Sequence, residues 1–319
     1  MLGRLKDKKI LVTGGAGFIG SHIVDALLEN GARVAVLDNL ESGRMENIEH
    51  VLDRIVFIEK DLRDPAALDE ALDGVDAVCH QGALRSVPQS VERPFDYHDV
   101  NVTGSLQLFM KAREKGIRRI VCASSSSVYG DRDTFPEYET DLPAPISPYA
   151  ASKLLVEYYA YVFCQMYGME IVNLRYFNVF GPRQSLDDEY AVVVPKFAVS
   201  LLHGRQPPIF GDGEQARDFT YVGNVADMNL RCLAAGPEVA GKVFNVGNGV
   251  PNTVNELFRT LRDIIGVKIE PEYLPVRKGD VRKTHADISM AKEIVGWTPR
   301  VSFRQGLERA VEYFKDLYR

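Results

Sequence analysis

The sequence predicts an α/β protein, a doubly wound parallel sheet joined to a smaller C-terminal α/β unit. Three observations carry that prediction. Short apolar runs without polar alternation recur up to about residue 180, as parallel strands covered on both faces require. Stretches with apolar residues at helical spacing separate those runs, the alternation of a sheet flanked by helices. A glycine-rich turn joins the first run to the first helix, where such sheets hold phosphate groups.

Taken in order, "KKILVTGGAGFIGSHIVDALLENGARVAVLDN" reads as strand, turn, helix, strand. Ile10, Leu11 and Val12 form the first strand, Ile19, Ile23, Ala26 and Leu27 space the helix, and Gly31 stops it. "IVFIEKDL" and "DAVCHQG" are the next strands, with "PAALDEALDG" as a helix between them. A helical stretch from about Arg93 to Lys115 leads to the strand "RRIVCASSSS". In "SPYAASKLLVEYYAYVFCQMYG", Ser147 is a good N-cap and Pro148 a good first helical residue. "MEIVNLRYFNVFG" is then read as a strand. Beyond Gly181 the chain turns loop-rich in "GPRQSLDDEYAVVVP", "GRQPPIFGDGEQARDFTYV" and "EPEYLPVRKGDVRK". Residues 1–180 therefore read as a nucleotide-binding unit and 181–319 mainly as a substrate-binding one. "KVFNVGNG" is expected to return a strand to the first sheet, which interleaves the two.

The 319 residues are 45% hydrophobic and 26% charged, enough for a core without a metal or disulfide staple. A net charge of −6 argues against general nucleic-acid binding, which calls for a basic stripe, although a few placed arginines can still hold an anionic small molecule. Cys79, Cys122, Cys164 and Cys232 are isolated, the pattern of reduced thiols in a cytoplasmic protein and not of a disulfide framework or zinc site. No run of roughly 18 apolar residues would span a membrane, and "MLGRLKDKKILVTGG" has no apolar stretch of signal-peptide length.

Gly14, Gly17 and Gly20 form a G-x-x-G-x-x-G turn between strand and helix, the arrangement of a Rossmann-type cradle. Such a turn lets the backbone approach a pyrophosphate seated on the helix N-terminus. Asp38 ends the second strand, where its carboxylate can accept hydrogen bonds from the adenosine ribose hydroxyls. A 2′-phosphate would be repelled there, so NAD is favoured over NADP. Asp61 and Leu62, ending the third strand, are placed to meet the adenine edge.

Tyr149 and Lys153 lie four apart on one helix, so their side chains share a face. A phenol of ordinary pKa, near 10, is a poor base at neutral pH, and lowering it by about 3 units requires a positive field. Lys153 and an oxidised nicotinamide ring together would supply one. Tyr-x-x-x-Lys is frequent in helices, and its weight here comes from the cradle upstream and the serine-rich strand end between them.

Together these residues resemble the extended short-chain dehydrogenase/reductase family, and within it the nucleotide-sugar epimerases. The resemblance extends through "HQGALRSVP", "NVTGSLQL", "LRYFNVFGPRQ", "AVVVPKF", "FGDGEQARDFTYVGNVA" and "RKGDVRKTHAD". It is strongest to the 4-epimerases of UDP-glucose and UDP-N-acetylglucosamine. It implies Ser125 as catalytic hydroxyl, Tyr149 as base, and Lys153 as the residue that holds the nicotinamide ribose and tunes Tyr149. It further implies cofactor contacts from Phe18, Ile19, Asn39, Gln81, Ala83, Arg85, Asn101, Ser124, Tyr176 and Val179. The UDP-sugar would meet Ser86, Ser125, Ser126, Asn178, Val193, Phe210, Arg217, Arg277, Asp280 and Thr284. Two arginines suit a diphosphate, and Asp280 suits ribose hydroxyls.

Three alternatives are weighed against 4-epimerisation. A 4,6-dehydratase carries an Asp-Glu pair after the catalytic hydroxyl to remove water, whereas Ser126 and Ser127 stand there. "ASSSSVYG" also resembles UDP-glucuronate 4-epimerases, which differ from "RYFNVFGPRQ". A non-catalytic NAD-binding scaffold would usually lack the tyrosine or the lysine. Thr284 falls where the family gates the sugar pocket, and a small residue there implies room for a 2-acetamido group. The resemblance also implies a homodimer through the helix of "EYYAYVFCQMYG" and the one near Asn101, the former being apolar around more than one buried face needs.

Overall fold

The computed structural model describes residues 2–186, 193–276 and 281–318. In chain order it begins with β1 (Lys9–Thr13), α1 (Phe18–Glu29), β2 (Arg33–Asp38), β3 (Ile55–Glu59), α2 (Pro65–Ala71) and β4 (Ala77–His80). Next come α3 (Val87–Glu92), α4 (Pro94–Tyr97), α5 (Gly104–Glu114), β5 (Arg119–Ser125), α6 (Pro148–Tyr167), β6 (Glu170–Tyr176) and β7 (Val179–Phe180). Then follow α7 (Val193–Leu202), β8 (Pro208–Phe210), β9 (Ala216–Arg217), β10 (Thr220–Tyr221) and α8 (Val222–Ala234). The chain closes with β11 (Val243–Val246), β12 (Asn252–Thr253), α9 (Val254–Ile265), β13 (Glu272–Leu274) and α10 (Phe303–Leu317).

Seven strands form one parallel sheet in the order β11-β6-β5-β4-β1-β2-β3. The chain builds outward from β1 to β3 and returns to place β4 on the other side of β1. That reversal opens a crevice beyond the carboxyl ends of β1 and β4, where open α/β sheets bind ligands. One face is covered by α1 and α8, with Val12, Ile23, Met228, Phe244 and Trp297 in the core. The other is covered by α2, α5 and α6, with Leu11, Leu68, Phe109, Ile120 and Phe163. Burying each large side chain contributes roughly 1.5–3 kcal/mol, so both faces are strongly committed to their helices. A third core joins Phe180, Phe197, Phe258, Leu307 and Phe314 under α7, α9 and α10. The second half of the chain also supplies β11 to the sheet edge beside β6, and α8 to the layer on α1.

Two segments depart from the sequence expectation. The stretch around 93–115 is not one regular helix: α4 passes through a π-helical segment, His98–Thr103, into α5. The extra residue per turn falls at Asn101, whose side chain is bonded to the loop after β4. "MEIVNLRYFNVFG" divides at Asn178, where φ is +30°, and β7 leaves the sheet to pair with β10. The apolar run is continuous in sequence because Leu174 belongs to the first core and Phe180 to the third.

Candidate active site

The crevice begins where β1 stops. Gly14 adopts φ +67°, and its amide donates to the Leu37 carbonyl at 2.8 Å. A Cβ on Gly20 would run into the Gly14 carbonyl, so α1 starts directly on the turn. Gly17 caps α1 with no side chain, which leaves the first-turn amides and the positive helix end facing the crevice. Asp38 accepts from the Ala16 and Leu40 amides, each at 2.9 Å, and thereby ties the glycine turn to the end of β2. Burial pushes its carboxyl above the ordinary value against those two bonds. Each oxygen keeps a second lone-pair direction for a ribose hydroxyl.

Across the crevice, β5 ends at Ser125, in register with Tyr176 on β6. Ser124 turns inward and donates to Glu157 Oε1 at 2.5 Å. Ser125 accepts from the Ser127 hydroxyl at 2.7 Å and lines the cleft together with Tyr149. Helix α6 starts as its sequence dictates, with Ser147 Oγ accepting from the Ala150 amide at 3.1 Å and Pro148 in the first turn. This presents Tyr149 and Lys153 to the crevice together. Burial pushes the Tyr149 phenol up, opposed by the nearby Ser125 hydroxyl and the positive charge of Arg85. Lys153 Nζ donates to the Ala123 carbonyl at 3.0 Å, and burial pulls its ammonium down to about 8.

The cleft has two adjoining halves. The nucleotide half, about 140 Å³, is lined by Gly14, Gly17, Phe18, Ile19, Gly20, Asp38, Gln81, Ala83, Arg85, Ser124, Tyr149, Lys153 and Tyr176. The sugar half, about 520 Å³, is lined by Arg85, Ser86, Ser124, Ser125, Ser126, Ser127, Tyr149, Asn178, Val179, Arg217 and Thr284, among others. Tyr176 donates to Gln81 Oε1 at 3.1 Å and is bonded to Asn229, which bridges the end of β4 to α8. Thr284 donates to Asn178 Oδ1 at 2.9 Å, which brings together two walls far apart in sequence.

Other expected residues do not line either half. Asn101 accepts from the Leu84 amide and donates to the Leu84 carbonyl and to Ser152, so it fixes the loop carrying Ala83 and Arg85. Asn39 donates to Asp61, which hydrogen bonds from Arg63 hold down at about 2, and Leu62 packs on the second core. Val193 begins α7 against the third core, and Phe210 lies on β8 beside β13. Arg277 and Asp280 lie outside the described residues.

The structure adds residues that spacing did not indicate. Ser42 and Gly43 reach the nucleotide half, and Ile146, Val281 and Gln184 the sugar half. Gln184 is buried, donates to the Val179 carbonyl at 3.0 Å, and among the described residues has no partner for its own Oε1. It falls within "GPRQ", a motif visible in the sequence. Gly43 comes against the Asp38 carboxylate through the loop after β2, which shows no periodic signal. Among the described residues, no group of three or more His, Cys, Asp or Glu is placed to hold a metal ion. The Gly14–Gly20 cradle, the uncapped start of α1 and Asp38 fit a dinucleotide with free ribose hydroxyls.

Comparison with known proteins agrees with this geometry. The family model of the NAD dependent epimerase/dehydratase family matches residues 10–247. The UDP-glucose 4-epimerase of Mycolicibacterium smegmatis is 39% identical, over 97% of this chain and 99% of its own. Among solved structures, UDP-N-acetylglucosamine 4-epimerase from Methanobrevibacter ruminantium M1, in complex with UDP-N-acetylmuramic acid, superposes with a TM-score of 0.93. It is 41% identical, covering 98% of this chain and 99% of its own. The UDP-glucose 4-epimerase of Thermotoga maritima, with UDP-glucose, gives a TM-score of 0.92 at 42% identity over 98% and 100%. A crevice built at the reversal of a parallel sheet, matched over most of its length, means that the chain belongs to the NAD-dependent epimerase/dehydratase family.

Proposed function

We propose that the protein inverts carbon 4 of a UDP-hexose, with UDP-glucose/UDP-galactose and UDP-N-acetylglucosamine/UDP-N-acetylgalactosamine as the substrate pairs. The observation that carries this reading is that Ser125 and Tyr149 line the sugar half together while Tyr149 and Lys153, on one helix, line the nucleotide half beside it. Gly14, Gly17, Gly20 and Asp38 would hold NAD, with Lys153 at its nicotinamide ribose. NAD, when bound there, would supply the hydride acceptor and donor that inversion at carbon 4 needs. Tyr149 receives the proton of the 4-hydroxyl and gives it back, while Ser125 orients that oxygen. Arg217, with Arg277, would clamp the diphosphate, and Asp280 would accept from the uridine ribose. The 4-keto sugar turns over within the sugar half before its second face is reduced.

The wall itself supports inversion over dehydration. Among the described residues lining the sugar half there is no carboxylate, and Ser126 and Ser127 follow Ser125. Removal of water needs an acid and a base of suitable pKa, which hydroxyls do not provide. The test is incubation with a panel of UDP-sugars, UDP-glucuronate included, without added NAD and with products identified by NMR. Inversion at carbon 4 is expected; loss of water would overturn the reading. Tyr149→Phe should lower kcat by about 10²–10⁴-fold, and a near-normal rate would remove Tyr149 from the mechanism.

We propose also that two copies pair through the outer face of α6. Leu155, Tyr158, Tyr159, Val162 and Met166 form one exposed apolar stripe at helical spacing, and Met166 is 70% exposed. Val91 and Phe95 extend exposed apolar surface onto α3 and α4, which pack on α6. The occupant best suited to such a stripe is the same stripe on a second copy, as a two-fold interface requires. Sedimentation should give a dimer, and Val162→Glu should give a monomer; a wild-type monomer at micromolar concentration would refute the pairing. The four cysteines are free, which supports a reducing, cytoplasmic location, testable by fractionation. Among the described residues no helix is long and apolar enough to cross a membrane.

A further inference from the structure

Beneath the serine strand end lies a buried ion pair that the mechanism above does not use. Arg175 on β6 donates to Glu157 Oε1 at 2.9 Å through Nε and to Oε2 at 2.7 Å through a terminal nitrogen. Glu157 is 4% exposed and Arg175 3%. The same carboxylate accepts from Ser124, and the guanidinium lies over the Tyr129 ring, 4.6 Å from its centre. Tyr129 in turn donates to Asn245 on β11. Glu157 therefore touches the strand end on one side and is fixed by the sheet on the other.

Its place on α6 gives it a second neighbour. Glu157 is one helical turn after Lys153, as Lys153 is one turn after Tyr149, so the three lie along one face. We propose that Glu157 is a positioning residue for the reaction, holding Ser124 in place and setting a negative charge one turn from Lys153.

The surroundings of Lys153 leave that part to Glu157. The ionisable groups whose charge bears on it are Cys122 on β5 and Glu157 on its own helix; its own charge bears on His80 on β4, Tyr149 lies one turn before it, and Arg175 on β6 stands behind Glu157. Burial pushes the Cys122 thiol up and pulls His80 down to about 3, so both are neutral near pH 7. Glu157, paired with Arg175, is the carboxylate among them. Its charge works against the burial that pulls the Lys153 ammonium down. Without it, the ammonium that is to meet the nicotinamide ribose would lose its proton at lower pH.

The test reads Lys153 directly and does not depend on turnover. In protein labelled with ¹³C-lysine, the Lys153 Cε resonance, assigned by its absence from Lys153→Met, is titrated in wild type, Ser124→Ala and the double variant Glu157→Gln/Arg175→Gln. The double variant removes both charges, because Glu157→Gln alone would leave a buried guanidinium uncompensated. The midpoint should fall by about one pH unit in the double variant and stay near wild type in Ser124→Ala, which keeps the carboxylate. In the epimerase assay the alkaline limb of kcat should move down with it. An unmoved midpoint in the double variant overturns the proposal, as does an equal shift in Ser124→Ala, which would trace the effect to packing. The inference rests on the proposed epimerase reading, yet the two fail separately. Wild type that inverts no UDP-sugar defeats that reading, while the titration still decides the place of Glu157.

Discussion

The nucleotide end and the sugar end of the cleft are held by different kinds of contact. At the nucleotide end the geometry is set by backbone: Gly14 bonded to Leu37, Gly17 to Gly14, and α1 resting where Gly20 has no Cβ. At the sugar end it is set by side chains reaching across the chain. Thr284 bonds Asn178, Asp218 accepts from the amides of Asn248, Gly249 and Ala286, and Glu137 accepts from the His285 amide. Two buried carboxylates thus pin the segment that carries Thr284. A backbone cradle admits little variation and suits a group common to a whole family. A wall tied by side chains can change one residue at a time, which suits the part of the substrate that differs between relatives.

The largest expected effect tests the rigid end. Gly20→Ala places a methyl against the Gly14 carbonyl, in a turn already bonded to β2. Overpacking of this kind costs about 3 kcal/mol, or roughly a hundredfold in binding if the strain falls on the cradle. Urea unfolding and NAD titration should therefore both weaken. A variant that binds NAD as wild type does would show that the cradle yields, and the contrast between the two ends would fail.

Thr284→Tyr tests the adaptable end. The phenol would fill space beside Asn178 and Arg217, and the loss of the Thr284 bonds to Asn178 and from the Asp218 amide would weigh on every substrate alike. The informative quantity is thus a ratio. Activity on the N-acetylated sugar relative to UDP-glucose should fall by about 100-fold, measured as kcat/KM. Equal losses on both would remove Thr284 as the gate.

The same contrast explains what the sequence revealed. The cradle, Asp38 and the Tyr149/Lys153 helix were legible because each depends on residues near one another in the chain, with cap, turn and periodicity all in agreement. The return of β11 to the sheet showed as one short apolar run. Less legible was the tertiary work. Asn101 has the composition of a ligand-binding residue, yet its amide is occupied by Leu84 and Ser152 within a π-helical turn that no spacing announced. Glu137 falls in none of the quoted motifs, and Asp218, although inside "FGDGEQARDFTYVGNVA", shows no role by spacing, since their partners are backbone amides of distant segments. Nor did Tyr149 and Lys153 alone reveal that the charge of Arg85 also bears on the phenol.

The most gradual expected effect, spread over a pH window, concerns the pins themselves. Glu137 is 2% exposed, and burial pushes its carboxyl up to about 7 against the His285 hydrogen bond. Its unfolded value is near 4.5, so between about pH 4.5 and 7 the folded state binds more protons than the unfolded one. Stability must then fall as pH rises through that window, by up to about 3 kcal/mol from this group alone. Glu137→Gln keeps a carbonyl for the His285 amide and removes the titration. Urea unfolding at pH 4.5 and pH 8 should show the variant gaining on wild type by that margin as pH rises. Gly20→Ala, whose strain involves no proton, should show no such gain. If wild type and Glu137→Gln keep a constant difference across the window, the carboxyl is solvated in the folded protein, and the sugar wall is pinned by Asp218 without it.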